Sequence, residues 1–127
     1  MKNSSNKICI GSANFALNYG YKKKKLSKKN IRKIINYSHK RGINYIDTAI
    51  NYGITHKILG KFNLKKFNII TKIPTPPENI KSIKKWCISN VIQAKKTLRI
   101  KCIYGLLIHD TKILHNTINA NEIFEAL

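Results

Sequence analysis

Asp47, Lys72 and His109 each close a short apolar run: Asn44-Tyr45-Ile46-Asp47, Ile69-Ile70-Thr71-Lys72 and Leu106-Leu107-Ile108-His109. Tyr52 follows Asp47 by five positions. An acid, an amine, an imidazole and a phenol are four groups of complementary function. A tyrosine, with an unperturbed pKa of about 10, is a poor acid or base at neutral pH unless a nearby cation favours its ionised form; a lysine within ~4–6 Å does that. In this reading Asp47 holds the Lys72 ammonium in place and charged, and a neutral His109 hydrogen-bonds a substrate oxygen. Together the four polarise and protonate a carbonyl.

Such groups meet only if the chain brings the ends of their runs together. A parallel strand buried on both faces reads as a continuous run of Ile, Leu and Val, and in an α/β barrel the residues leaving the C-terminal strand ends gather on one face. The pattern predicts strands over 7–10, 43–49, 68–73 and 103–108, the first stopping at Gly11-Ser12. Between the first two, Ser27 reads as an N-cap for a helix with an Ile31, Ile34, Ile35 stripe that ends at Gly42. A brief helical stretch carries Ile58, Leu59 and Phe62 on one face, and Pro74, Pro76 and Pro77 stop the third strand. From 79 to 98, Ile80, Ile83, Cys87, Val91, Ile92 and Leu98 recur at helical spacing with Lys on the outer face. After the fourth strand, Asn116, Asn119 and Asn121 read as turn residues before the start of another helix.

Four strands separated by helices imply right-handed βαβ units and a parallel sheet. A doubly wound nucleotide fold wants a glycine-rich phosphate loop after the first strand, and Gly11-Ser12-Ala13-Asn14-Phe15-Ala16 lacks the G-x-G-x-x-G spacing. The barrel remains. A complete (β/α)8 barrel takes ~250 residues, whereas this chain has 127. The expectation is therefore an α/β fold, the N-terminal half of a TIM barrel with about four βα units. Its last residues, Phe124-Glu125-Ala126-Leu127, continue a helical pattern without a Gly or Asn cap and read as a truncated C-terminus.

Composition narrows the function classes. With 43% hydrophobic residues the chain can build a core. The 25 Lys plus Arg against 5 Asp plus Glu, a net charge of +20, would ordinarily point to nucleic acid or an anionic surface. Nearly all of it is Lys, spread beside abundant Ile and Asn, which reads as compositional drift. Arg, suited to bidentate phosphate or guanine contacts, appears only as Arg32, Arg41 and Arg99, and no stacking aromatics interleave the basic runs at 22–25 and 28–29. Cys9, Cys87 and Cys102 have no C-x-x-C and no His at zinc-ligand spacing, so they read as reduced thiols and no metal site is expected. No signal peptide or membrane-length apolar run is present, and a soluble, cytoplasmic protein is expected. Trp86 reads as a packing residue; His39, His56 and His115 read as surface-helix residues without a role.

The motifs carry a resemblance. Ile46-Asp47-Thr48-Ala49-Ile50-Asn51-Tyr52-Gly53, continuing to Leu59-Gly60, is similar to the main signature of the aldo/keto reductases, and Ile70-Thr71-Lys72 and Leu107-Ile108-His109 fall where that family's Lys and His motifs do. The resemblance begins at Gly11-Ser12-Ala13, covers the rest of the chain, and extends over some two-fifths of a usual member. It implies a partial NADP-dependent oxidoreductase domain over 1–127, with Asp47, Tyr52, Lys72 and His109 as catalytic tetrad and Tyr52 as proton donor. A reduced nicotinamide, usually NADPH, would supply hydride to a small carbonyl substrate, with Gly11, Ser12 and Asp47 touching the cofactor. Most of the cofactor's binding site would lie in the C-terminal half, since barrel phosphate sites follow strands seven and eight. Two positions depart from the family: His56 stands where an acidic residue is common, and Tyr104-Gly105 precedes the His run where many members carry Asp.

Three functions follow from these readings. One is a truncated NADPH-dependent carbonyl reductase, expected to be inactive alone and to need a complementing C-terminal half or self-association. The others are a non-catalytic binding module on the same fold, against which all four tetrad residues argue, and a basic nucleic-acid binder, which predicts steeply salt-dependent binding to any duplex.

Overall fold

The apolar runs pair in chain order. In the computed structural model, which describes residues 7–21 and 23–126, β1 (Cys9–Gly11), β2 (Tyr45–Asp47), β3 (Asn68–Ile73) and β4 (Gly105–Ile108) form one parallel sheet in the order β1-β2-β3-β4. Residues 1–6, Lys22 of the basic run and Leu127 of the final helical pattern lie outside the described residues. Helices α1 (Lys28–Lys40), α2 (Thr55–Leu59), α3 (Ile83–Leu98) and α4 (Thr117–Ala126) alternate with the strands, and short 3-10 turns at Ala13–Phe15 and Thr111–His115 follow β1 and β4. The register sets Gly11 beside Asp47, Asp47 beside Ile70, and Lys72 beside Leu107.

Local chemistry fixes the helix ends. The Ser27 hydroxyl accepts from the Asn30 N–H and the Ser82 hydroxyl from the Lys85 N–H, each satisfying one orphan donor of a first turn. Ser82 also explains why α3 starts at Ile83 instead of 79: the Ile80 N–H turns back to the Pro77 carbonyl, so the segment before the cap is a turn. Asn119 and Asn121 fall inside α4, not in turns, because Asn116 supplies the cap by accepting from the Asn119 N–H. The Glu122 carboxylate of α4 accepts from the Ile83 and Lys84 N–H groups, joining α4 to the start of α3. Gly60 lets α2 lie hard against α3, since a Cβ there would collide with the Thr97 carbonyl oxygen.

The core lies on one side of the sheet. Ile46, Ile69, Phe15, Ile31, Ile35, Leu59 and Leu98 make one buried cluster; Ile73, Ile83, Cys87, Ile113 and Ile123 make a second around α3 and α4. Each fully buried side chain of this size contributes roughly 1.5–3 kcal/mol relative to exposure. Burial on both faces is not what the strands show. Along β3, Ile69, Thr71 and Ile73 are buried under the helices while Asn68, Ile70 and Lys72 are half-exposed, a period of two. Among the described residues the helices sit on the same side, and none covers the other face. That open face carries Cys9, Tyr45, Asn68, Ile70 and Leu107 in register, so among the paired strand residues described Ile70 is its one isoleucine. In α3 the buried stripe passes through Ala94, and Ile92 is 61% exposed, because that helix also meets the sheet on one face alone. Cys87 is buried, Cys9 and Cys102 are exposed, and all three are free. Among the described residues no helix is long and apolar enough to cross a membrane.

Candidate active site

Asp47 ends β2, with its carboxylate at the rim of the open face. Its carbonyl oxygen accepts twice from Ser12, from the backbone N–H at 3.0 Å and the hydroxyl at 2.9 Å, which pins the end of β2 to the turn after β1. From the next strand, the Lys72 Nζ reaches both carboxylate oxygens of Asp47 at 2.7 and 2.8 Å and the Thr48 carbonyl oxygen at 3.1 Å. An ammonium has three N–H donors, and three acceptors surround this one. The pair is half-buried, the lysine 18% and the aspartate 35% exposed.

Tyr52 comes to this pair on a short loop. The Thr48 N–H donates to the Ile70 carbonyl and the Ile50 N–H to the Lys72 carbonyl, so the chain after Asp47 keeps running along β3. It then turns at Tyr52-Gly53, where the Tyr52 N–H donates to the Ala49 carbonyl. Gly53 holds a φ of 57°, in the left-handed region that glycine enters without penalty. The turn lays the phenol ring so that the Lys72 Nζ is 5.4 Å from its centroid. The His109 ring, one residue past β4, stands edge-on to it with centroids 5.9 Å apart and an interplanar angle of 84°. Four side chains from three strand ends and one loop thus meet at the C-terminal edge of the sheet, and His109 is exposed on the open side. A groove of about 360 Å³ lined by Lys28, Arg32, Ile58, Lys61 and Phe62 lies elsewhere, between α1 and α2.

One residue beneath this cluster escaped the sequence reading. His56, expected on a helix surface, is 8% exposed, and its Nε2 lies 3.2 Å from the hydroxyl of the fully buried Thr71. Burial lowers its pKa from 6.5 to about 4, so the ring is neutral at pH 7. The usable signal was on the strand: Thr71 alternates with Ile69 and Ile73 on the buried face, and a buried hydroxyl calls for a polar partner.

The family model of the aldo/keto reductases matches residues 7–127. The chain belongs to this family. Two solved structures of Pseudomonas aeruginosa proteins described as aldo-keto reductases superpose on it with TM-scores of 0.67 and 0.70, each at 20% identity and over 92% of this chain. Those matches cover 48% and 49% of the other chains, so the chain spans about half the length of the structures it matches. No curated protein matches it. The four parallel βα units are half of the aldo/keto reductase (β/α)8 barrel.

Gly11 is exposed next to Asp47, and a Cβ at Gly11 would meet nothing within 4 Å, which leaves space beside the carboxylate. Ser12, in contrast, is fully buried with its hydroxyl committed to the Asp47 carbonyl. At the rim, therefore, Gly11 and Asp47 border open space, and Ser12 does not.

Proposed function

We propose that this site belongs to an oxidoreductase that reduces an aldehyde or ketone to an alcohol with NADPH, the barrel being closed by a complementing C-terminal half or by self-association. The observation that carries the reading is the arrangement around Lys72: an ammonium fixed by Asp47 and facing the phenol of Tyr52, which in turn meets His109. When bound, the cofactor supplies the hydride. Tyr52 gives its proton to the substrate oxygen. Lys72, with acceptors already around its ammonium, acts on the phenol through its charge, stabilising the phenolate as the proton leaves. Asp47 holds that charge in place. His109 donates to the same substrate oxygen and orients the carbonyl toward Tyr52. Gly11 and the Asp47 carboxylate contact the nicotinamide end, while Ser12 supports Asp47 from behind.

The deciding experiment measures NADPH oxidation with simple aldehydes, by the 127-residue chain and by the chain co-expressed with any in-frame coding sequence after Leu127. Turnover in either arm that falls ~10² to 10⁴-fold in Tyr52→Phe, with NADPH binding kept, supports the assignment. Saturable NADPH binding without turnover in both arms identifies a binding module instead. Neither binding nor turnover removes the proposal. Among the described residues β1 and β4 each pair on one side only, and such edges predict that the chain by itself self-associates, which sedimentation reads directly.

A further inference from the structure

We propose that His56 is a positioning residue for Tyr52, holding the phenol over Lys72 through the bond between its imidazole and the Thr71 hydroxyl. The inference rests on the reductase reading of the site, because it concerns the placement of that reading's proton donor.

The bond joins two neighbours of the site from the far side of the sheet. His56 is the second residue of α2 and lies four positions after Tyr52; Thr71 immediately precedes Lys72. Tyr52 and Lys72 face the open side, and His56 and Thr71 meet on the covered side. A shift of α2 away from β3 would carry the turn at Tyr52-Gly53 with it, because the Thr55 N–H donates to the Tyr52 carbonyl. The backbone bonds that tie this segment to β3 stop at Ile50, whose N–H donates to the Lys72 carbonyl at 3.3 Å. Past Ile50, among the described residues, the bond between His56 and Thr71 is the one side-chain hydrogen bond holding the segment to the strand. The neighbouring hydroxyls add nothing to this tie, since those of Thr48 and Thr55 are buried without a protein partner.

The chemistry of the pair suits a fixed spacer. A neutral imidazole has one donor and one acceptor nitrogen, and a threonine hydroxyl both donates and accepts, so the bond forms with either tautomer. The Thr71 hydroxyl is fully buried and His56 is 8% exposed, so breaking the bond leaves the hydroxyl without a solvent partner. A displacement of the order of 1 Å at a reacting group can lower turnover ~10²-fold. The bond therefore acts on the reaction without touching substrate.

The test uses the 127-residue chain with tyrosine and histidine rings selectively labelled, so that spectra stay readable in an associated state. The probe is the ring-to-ring NOE between Tyr52 and His109. Thr71→Val removes the hydroxyl and keeps the shape; His56→Asn removes the reach. Each should lower that NOE at least twofold, and Thr71→Ser should restore it. Cys87→Ala, a cavity variant in the other core cluster, serves as the control for plain destabilisation and should leave the NOE intact. If Thr71→Val and His56→Asn both keep the wild-type NOE, the positioning role is overturned while the reductase reading stands. An equal loss in Cys87→Ala overturns it too, by showing general loosening. Absence of the NOE from the wild-type chain overturns the reading of the site itself. In any setting where the barrel turns over, Thr71→Val should lower kcat about 10- to 100-fold with KM within about twofold, and Thr71→Ser should recover it.

Discussion

The two faces of β3 do different work with the same six residues. On the covered face Ile69, Thr71 and Ile73 are packed under helices; on the open face Asn68, Ile70 and Lys72 stay partly in solvent. Stability is concentrated on the first face because that is where apolar area leaves water. The second holds the Lys72 ammonium beside Asp47 and Tyr52, where the proposed chemistry would take place. The strand also couples them, since Thr71 and Lys72 are consecutive and project to opposite sides.

The largest expected effect lies on the open face. Tyr52→Phe should lower turnover ~10² to 10⁴-fold and leave the unfolding midpoint close to wild type, because the half-buried phenol is not part of either core cluster. Turnover and denaturation measured on the same preparation check it. A variant that loses both together would mean that the rim is part of the core after all.

Next is the contrast within the strand. Ile69→Ala should cost about 3 kcal/mol, the transfer free energy plus a cavity under the helices, and Ile70→Ala about 1 kcal/mol, because its site is partly in solvent already. Urea unfolding of the two variants gives the difference. Equal losses would show that the open face is covered in solution, as it would be by a second copy of the chain or by a complementing half-barrel.

These contrasts bear on what the sequence showed and what it hid. The bounds of β3, the Ser27 cap, and the meeting of Asp47, Tyr52, Lys72 and His109 were readable because each depends on local signals, as was the end of α1, whose C-cap is Arg41 with Gly42 at a φ of 73° just after it. The facing of each run was harder. Unbroken Ile and Leu suggested strands buried on both sides, but which side lies open depends on how many βα units close the barrel, a property of the whole fold. His56 was misplaced for a similar reason. The apolar stripe read for that short helical stretch, Ile58, Leu59 and Phe62, does not include His56, so the burial of the ring could be found only from Thr71, one strand away.

The pH dependence of stability sharpens the same point from the covered side. His56 has a pKa of about 4 when folded and 6.5 in the unfolded chain. Between those values the unfolded state binds more protons, so stability rises with pH there. The contribution is complete above pH 6.5, declines as pH falls toward 4 at up to roughly 1.4 kcal/mol per pH unit, and levels off below, about 3 kcal/mol in all. Urea unfolding of wild type and His56→Asn at pH 7, 5.5 and 4 separates this from the self-repulsion of a chain with net charge +20, which both proteins share. The variant should lose less stability on acidification. Parallel losses would place His56 in solvent.

The smallest effect tests whether polar contacts on the covered side contribute as its isoleucines do. Glu122 accepts from the N–H groups of Ile83 and Lys84 in the first turn of α3, where a negative charge meets both orphan donors and the positive end of the helix dipole. Glu122→Gln retains an acceptor and removes the charge, so the loss should be about 0.5–1 kcal/mol and should shrink in high salt. Lys84 and Glu125 form an ion pair nearby at 3.4 Å with side chains 48% and 66% exposed, and Lys84→Ala should cost less still, since exposed pairs contribute about 0–1 kcal/mol. Unfolding in low and high salt separates the two. If Lys84→Ala costs as much as Glu122→Gln, the carboxylate acts by general charge balance, and the join between α3 and α4 rests on Ile83, Cys87 and Ile123 alone.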